Sequence, residues 1–272
     1  MAWMRPMGAD SVSYHEHTVR DRADDHAGMA LDYYGERGET PLTWGGSGAT
    51  ALGLRGEVAI DDYRAIFGVG GAVHPRSGER LVTTRRPGIE LVVSPHKSVA
   101  ELGVIGRADD MHRIVDAERD ATISYLDRIT RERGGRRGRE QVPTPTAGLL
   151  YATSRHATSR AGDPQVHDHV LLANVVKMHD EVGGWKGADT ALWRDHLHAA
   201  TAYGRMAAAR EAVELGYGIE RDDGPSGRLG SWAIAGIPPE AWRHHATRSA
   251  QIDEVVGPDA SYRSRGVAAR AT

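Results

Sequence analysis

Three histidines, His156, His167 and His169, lie close together in the sequence and could form a metal site. His167 and His169 are two residues apart at the head of a predicted strand, so their imidazoles project from one face and Asp168 projects from the other. His156 lies on the preceding predicted strand and approaches the pair if the AGDP turn joins the two strands. Three neutral imidazoles leave a divalent cation with its full charge and open coordination positions, which attract a phosphate. The pattern indicates phosphodiester chemistry, although an HxH pair alone is a weak motif and can be structural.

A phosphate held on a metal needs a nucleophile, and three tyrosines, Tyr14, Tyr33 and Tyr34, are candidates. Because the phenol has a pKa of ~10, attack near neutral pH needs a base, the metal, or both. Glu90 is a candidate base, since it interrupts an apolar strand, where a carboxylate is costly unless it is paired. Each tyrosine could instead be a packing residue, and strand alternation could place Glu90 in solvent.

The pattern of apolar residues predicts the elements that position these side chains. Helical spacing from Lys97 to Arg133 predicts one long helix or two in line. Strands are predicted at 88–94, 148–158, 166–178 and 231–236, and further helices at 59–68, 190–215 and 238–256. Strands in runs beside long helices predict an α+β domain, in which helices cover one face of an antiparallel sheet.

Composition excludes several classes of protein. The chain has no cysteine, so a transition metal must be held by histidine and carboxylate groups. The Gly-rich stretch 45–56 lacks the Lys-Ser/Thr pair of a phosphate-binding loop, so nucleotide hydrolysis is not expected. No apolar run approaches the ~20 residues of a membrane span, and the first residues lack the apolar region of a signal peptide. The expected compartment is therefore the cytoplasm, with no membrane partner.

Charge is unevenly distributed, although the formal net charge is only −3. Six arginines lie between Arg128 and Arg139, and five more between Arg243 and Arg270. Such segments are either solvated surface or contacts to nucleic-acid phosphates.

Three segments resemble the conjugative relaxases of the MOB-F type, the TrwC- and TraI-like proteins. RHATSRAGDPQVHDHVLLANVV is similar to the family's three-histidine motif. RPGIELVVSPHKSVAELG resembles its second motif, a strand followed by a helix start, and DYYGERGETPLTWGGSGATALGL resembles its tyrosine region with a Trp-Gly-rich sequel. Together the matches cover residues 10 to 255.

The resemblance implies a role for each candidate residue. His156, His167 and His169 would bind a divalent metal, Mg²⁺ or Mn²⁺, with Zn²⁺, Ni²⁺ or Co²⁺ as alternatives in crystals. Tyr14 would be the principal nucleophile, which cuts one strand at a transfer origin and becomes bonded to the 5′ phosphate. Tyr33 or Tyr34 would take part in the terminating transfer. The phosphotyrosine keeps the ester bond energy, so rejoining needs no ATP. Lys97 and Arg160, which lie in the matched motifs, would contact phosphates.

The sequence departs from the family pattern at three points. Glu90 stands where the family has Asp, which affects the reach of the carboxylate. Tyr14 is followed by His15 rather than by a second tyrosine, and Tyr33 comes nineteen positions after Tyr14, so which tyrosine initiates stays open. Family members commonly continue into a helicase, and this chain stops first, as part of a longer protein or as a stand-alone enzyme.

The resemblance also implies an architecture and a set of partners. It implies a five-stranded antiparallel sheet with the HxH strand near its centre, helices behind it, and an N-terminal strand that carries Tyr14 beside the metal. Residues 1–272 would form one relaxase domain, with a catalytic palm over about 1–220 and a helical lid or tail over 221–272. The expected partners are single-stranded transfer-origin DNA, including DNA that carries a hairpin, a helicase domain or protein, and conjugation accessory proteins.

Two other functions fit the same residues. A metal-dependent nuclease or phosphoesterase, in which water attacks, needs the histidines but not the tyrosines. A DNA-binding module without enzyme activity would recognise an origin hairpin through the Arg128–Arg139 loop and the C-terminal tail, and its binding would survive loss of the histidines.

Overall fold

The computed structural model describes residues 2–25, 39–133, 144–159, 161–179, 184–222 and 231–257, together with residues 260, 264 and 268. The strands in these ranges are β1 (Trp3–Pro6), β2 (Thr43–Gly45), β3 (Gly88–Val93), β4 (Thr146–Gly148), β5 (Tyr151–Thr158), β6 (Pro164–Ala173), β7 (Val176–Met178), β8 (Trp185–Lys186), β9 (Ile219–Arg221) and β10 (Trp232–Ile234). The helices are α1 (Ala9–Asp25), α2 (Gly46–Ala51), α3 (Ile60–Phe67), α4 (Lys97–Val104), α5 (Ala108–Ile129), α6 (Thr190–Asp195), α7 (Leu197–Glu214), α8 (Pro239–His244) and α9 (Thr247–Val256). Within the described ranges, no helix has both the length and the apolar character needed to cross a bilayer.

A five-stranded antiparallel sheet, in the order β1-β3-β6-β5-β2, forms the centre of the fold. The HxH strand, β6, is its middle strand, as the family resemblance implies. All six residues of β3 are buried, which is the pattern of an interior strand covered on both faces. Two small sheets, β10-β9 and β4-β7-β8, lie outside it.

The long helices α5 and α7 cover the reverse face of the sheet, the face opposite the histidines. Buried residues of α5 recur at positions 111, 114, 115, 122, 123 and 126, which is helical spacing. Ile123 and Leu126 pack with Val170 and Leu172 of β6 in one apolar cluster. The indole nitrogen of Trp193 donates a hydrogen bond to Thr130 Oγ1 (2.9 Å), which anchors α6 to the end of α5.

Helices also cover part of the histidine face, so the expectation of helices on one face only is wrong. Val12 of α1 and three side chains of α3, Tyr63, Ile66 and Phe67, pack in one cluster with Leu171 of β6. Leu171 lies two residues beyond His169 on the same face, because side chains alternate along a strand. The apolar half of this face is therefore covered.

Several predicted elements are confirmed, with breaks that periodicity did not resolve. The segment from Lys97 onward forms two helices, α4 and α5, separated by a turn in which Gly106 has a φ of 81°. The predicted helices at 190–215 and 238–256 are each two helices, and the strands predicted at 148–158 and 166–178 each correspond to two strands. Such breaks depend on turn geometry rather than on apolar spacing.

The prediction of an N-terminal strand carrying Tyr14 is wrong. The N-terminal strand is β1, and Tyr14 lies in the following helix, α1. The segment from residue 9 to residue 25 contains few apolar side chains, so its helical periodicity is weak and gives little sign of a helix.

We predict that Gly204→Ala destabilises the fold, because α7 lies close against α5 at Gly204. A Cβ at this position would lie 2.7 Å from the backbone oxygen of Glu118 and would also collide with the hydroxyl of Thr122. The expected cost is about 1–3 kcal/mol, which is typical of an overpacked interface. Chemical denaturation measures it.

Gly103→Ala is the matched control for this prediction. Its added Cβ would meet the flexible thioether of Met111 at 2.9 Å, which can move aside. Equal stability of the two variants would contradict the packing described for α5 and α7.

Candidate metal centre

The register of the sheet brings the three predicted metal ligands together. His156 of β5 lies directly opposite His167 of β6, and His169 lies two residues further along the same face. Ring centroids are 4.4 Å apart for His156 and His169, 5.0 Å for His167 and His169, and 5.2 Å for His156 and His167. One nitrogen from each ring can be chosen so that all three lie within 4.8 Å of one another. These residues could hold one metal ion.

The Nδ1 atom of each ring faces an acceptor oxygen. His167 Nδ1 donates to the backbone oxygen of Gln165 (2.8 Å), and His169 Nδ1 lies 2.6 Å from Glu90 Oε1. His156 Nδ1 lies 3.6 Å from Glu39 Oε1. These contacts leave the Nε2 atoms available as ligands, and metal-binding histidines commonly have this arrangement.

The donor set fits a divalent cation. Burial lowers the pKa of His167, so its imidazole stays neutral at neutral pH, which is the form that binds a metal. The three histidines are not fully buried, and His156 and His169 each keep 12% of their side-chain surface exposed, so a ligand can reach them from one side. This exposed side leaves room for a further group on the ion.

Glu90 connects the histidines to the N-terminal segment. It is 0% exposed, and it lies on the same face as His169 because its cross-strand partner is Leu171. Its Oε2 accepts a hydrogen bond from Arg5 Nε and lies 3.5 Å from Ser11 Oγ, whereas its Oε1 faces His169. His15 Nε2 is 3.7 Å from the same Oε1.

These neighbours keep Glu90 ionised. Burial raises the pKa of Glu90, but His15, His169 and Arg5 together outweigh burial and hold that pKa well below its ordinary value. A carboxylate whose pKa is held this low is a weak proton acceptor at neutral pH. The contacts of Glu90 therefore favour a role in orienting the His169 ring over the role of general base that the sequence suggested. They also exclude a position in solvent for its carboxylate.

Tyr14 projects from α1 with 52% of its surface exposed. The next residue, His15, is only 2% exposed, and its ring centroid lies 5.1 Å from that of Tyr14 and 6.0 Å from that of His169. Tyr14 thus lies at the edge of the histidine cluster, separated from it by one buried ring.

Two contacts on either side of Tyr14 fasten α1 to α3. Tyr63 is completely buried, and its hydroxyl donates to the backbone oxygen of Val12 (3.1 Å). Arg64 Nη2 donates to Glu16 Oε1 (2.6 Å). Because these contacts flank Tyr14 in the sequence, they limit how far its backbone can move relative to the sheet.

Of Lys97 and Arg160, the two residues that the family resemblance implies as phosphate contacts, Lys97 lies within the described residues. Its Nζ atom lies between the backbone oxygens of His245 and Pro164 (3.4 Å to the latter). Burial lowers the pKa of Lys97. Through these two contacts, Lys97 connects the C-terminal segment to the first residue of β6. Tyr33, Tyr34, Arg160 and residues 134–139, the second half of the arginine-rich segment, lie outside the described residues.

Sequence reasoning did not predict two residues of this cluster, Arg5 and His15. The WMRP segment of β1 is too short to show alternation, and only its pairing with β3 places Arg5 opposite Glu90. His15 was visible as a departure from the Tyr-Tyr pattern, but nothing in the sequence indicated that its ring points inward.

An α+β fold that displays three imidazoles and a buried carboxylate from one face of a central antiparallel sheet defines a class of metal-binding domain. The sequence model of the TrwC relaxase family matches residues 8–272. The chain therefore belongs to the TrwC relaxase family.

Curated relatives and solved structures agree with this assignment. The chain is 33% identical over 261 residues to the multifunctional conjugation protein TraI of Escherichia coli, and 32% identical to that of strain K12. These matches cover 89% of this chain but only 14% of each relative, so the chain spans about one seventh of their length.

The fold is similar to that of solved relaxases. A metal-bound structure of the conjugative relaxase TrwC with oriT DNA has a TM-score of 0.80 at 23% identity, and covers 99% of this chain and 89% of that one. A copper-bound complex has a TM-score of 0.77 at 23% identity, with coverage of 100% and 90%. A third complex, with a 27-mer that comprises the recognition hairpin and the cleavage site, has a TM-score of 0.79 at 21% identity and the same coverage.

We predict that Glu90→Gln weakens metal binding by about 10–100-fold, as is typical when the partner of a metal-binding histidine is lost. The amide oxygen of glutamine is a weaker hydrogen-bond acceptor than a carboxylate oxygen, so the contact that orients the His169 ring is weakened. Calorimetric titration with Ni²⁺ measures the affinity, and circular dichroism checks that the variant is folded. The control is Glu79→Gln, which removes a carboxylate from an exposed loop. Wild-type affinity in a folded Glu90→Gln protein would contradict the orienting role.

Proposed function

We propose that this chain nicks one strand of DNA at a transfer origin and holds the new 5′ end covalently on a tyrosine. The observation that carries the proposal is the convergence of His156, His167 and His169 beside the helix that displays Tyr14, in a member of the TrwC relaxase family. The relatives supply the substrate class, since the solved TrwC structures contain oriT DNA.

In the proposed reaction, the Tyr14 phenolate oxygen attacks the scissile phosphorus. A bond forms between the phenolic oxygen and phosphorus, and the bond from phosphorus to the 3′ oxygen breaks. The leaving 3′ oxygen takes up a proton and becomes a free hydroxyl. The reverse reaction rejoins a strand, and because one ester replaces another, no nucleotide hydrolysis is required.

The proposed roles of the other residues follow from their positions. His156, His167 and His169 hold a divalent cation, and Glu90 fixes the orientation of His169. When bound, the cation polarises the phosphate and neutralises charge that develops on its oxygens. The side chain of Arg5 lies beside Glu90 and is 45% exposed. Arg5 therefore neutralises the charge of the carboxylate at the solvent-exposed edge of the site.

The proposed ion in the cell is Mg²⁺ or Mn²⁺. Three imidazoles bind Zn²⁺, Ni²⁺, Co²⁺ or Cu²⁺ more tightly than Mg²⁺, so crystals grown with those ions can contain them. Availability, rather than intrinsic affinity, then decides which ion is used.

We propose the remaining parts of the function by the same reasoning. Tyr33 or Tyr34 acts in a second transfer, and Arg160 contacts a phosphate. Residues up to about 220 form the catalytic palm and those after it the lid, of which α8 packs against α4. A helicase, as another domain or protein, and conjugation accessory proteins are the proposed partners.

We predict that Tyr14→Phe abolishes a covalent protein–DNA adduct. The assay incubates protein, Mn²⁺ and a pool of 3′-labelled single-stranded oligonucleotides with a hairpin and a randomised flank, and detects label that migrates with protein after denaturation. Tyr203→Phe is the control, because Tyr203 is half-exposed on α7, behind the sheet. If Tyr14→Phe forms the adduct at the wild-type rate, Tyr14 is not the nucleophile, and if the Tyr33→Phe/Tyr34→Phe variant does so as well, the tyrosine mechanism is wrong.

We predict that chelation of the metal stops adduct formation and that Mn²⁺ restores it. Without the ion, the charge that develops on the transferring phosphate loses its stabiliser at the histidines, so the rate should fall at least 100-fold, the scale of a lost electrostatic stabiliser. Cleavage that yields only free DNA ends would instead favour attack by water. Hairpin binding without any cleavage, under any metal, would favour a DNA-binding module.

A further inference from the structure

A buried ion pair lies on the reverse face of the two strands that carry the histidines. Arg155 and Asp168 form two hydrogen bonds, Nε to Oδ1 and Nη2 to Oδ2, each 2.8 Å long. Asp168 is 1% exposed and Arg155 is 9% exposed. Paired guanidinium and carboxylate groups have strict geometric requirements, so this pair tolerates little relative movement of the strands.

The two residues stand next to the proposed metal ligands in the sequence and opposite each other in the sheet. Arg155 precedes His156, Asp168 lies between His167 and His169, and Arg155 and Asp168 are cross-strand partners. If β6 slipped by one residue relative to β5, its residues of the ion pair and of the histidine cluster would project from the opposite faces of the sheet. The ion pair and the histidine cluster therefore require the same register.

The ladder is irregular close to this point. After the pair His156 and His167, the register between β5 and β6 shifts before Thr158 pairs with Pro164. Between the histidines and the turn that joins β5 to β6, regular strand pairing is therefore not available to hold His156 opposite His167.

The pair is also fastened to helix α5. Arg155 Nη2 lies 2.8 Å from Asp116 Oδ1, and its Nη1 lies 3.1 Å from His112 Nδ1. Arg119, on the same helix, lies 3.5 Å from Asp168 Oδ2 and 2.8 Å from Asp116. The network therefore connects both strands to one rigid element behind the sheet.

We propose that Arg155 and Asp168 are positioning residues, which lock the register of β5 and β6 and so hold the three imidazoles at one point. This inference rests on the proposed function only in taking the histidine cluster as a metal site. A buried ion pair contributes little net stability compared with apolar side chains, but its directional contacts can select one alignment among several.

The test replaces the pair by apolar side chains of similar size, in the variant Arg155→Met/Asp168→Leu. The control variant, Arg113→Met/Glu211→Leu, removes another ion pair of α5, the 2.6 Å contact with α7. Two quantities are measured in each protein: Co²⁺ affinity from the visible absorption of the bound ion, and cross-strand proton contacts between β5 and β6 by NMR. Thermal melting reports stability separately.

We expect the Arg155→Met/Asp168→Leu variant to bind Co²⁺ at least tenfold more weakly, with an altered spectrum. Its cross-strand contacts should show a second register or none, whereas the control variant should match wild type in both measurements. A merely stabilising ion pair would change the melting temperature and neither of these. If either measurement is unchanged in the folded variant, the proposal is overturned.

Asp168→Asn provides a second variant in case the double substitution prevents folding. Asparagine keeps the shape of the side chain and one acceptor oxygen but loses the charge. We expect a smaller loss of Co²⁺ affinity and a smaller change in the cross-strand NMR contacts than in the double variant. Failure of the proposed function is distinguishable, because it would appear in the wild-type protein as absence of the DNA adduct. The NMR contacts report the register without any metal or DNA, so they test the register lock independently of the proposed function.

Discussion

The alignment of two antiparallel strands is the constraint on which the site depends. His156 and His167 belong to different strands, and only the observed pairing of β5 with β6 places them face to face, with His169 next along the same face. Because side chains alternate with a period of two, no nearby register gives the same cluster. The hairpin, the buried pair behind it and the two long helices on the reverse face all serve this alignment.

Glu90 connects the histidine cluster of the sheet to the N-terminal segment. Its carboxylate is completely buried, yet the surrounding cationic and hydrogen-bonding groups keep its pKa below the ordinary value. One carboxylate thereby joins His169 of β6, Arg5 of β1 and His15 of α1. Since Tyr14 precedes His15 directly, the position of the proposed nucleophile is tied to the proposed metal ligands through a short chain of buried contacts.

Local patterns in the sequence predicted the elements well and their connections less well. The HxH spacing and the apolar run around Glu90 predicted strands, and both strands are found at the centre of the sheet. The helix that carries Tyr14 was predicted as a strand, since its apolar face is short and mostly polar residues surround it. The partners of Glu90 could not be predicted, because Arg5 lies 85 residues away and meets it only through strand pairing. The resemblance to a family supplied the five-stranded sheet, which periodicity alone had shown only in part.

The central claim is that three imidazoles from two strands share one cation. Anomalous X-ray diffraction from crystals soaked in Mn²⁺ tests it most directly. The account predicts a single peak about 2 Å from the Nε2 atoms of His156, His167 and His169. A peak among His15, Glu90 and His169 instead, where three donor atoms also lie within 4.8 Å of one another, would contradict it, as would crystals that take up no ion at the histidines.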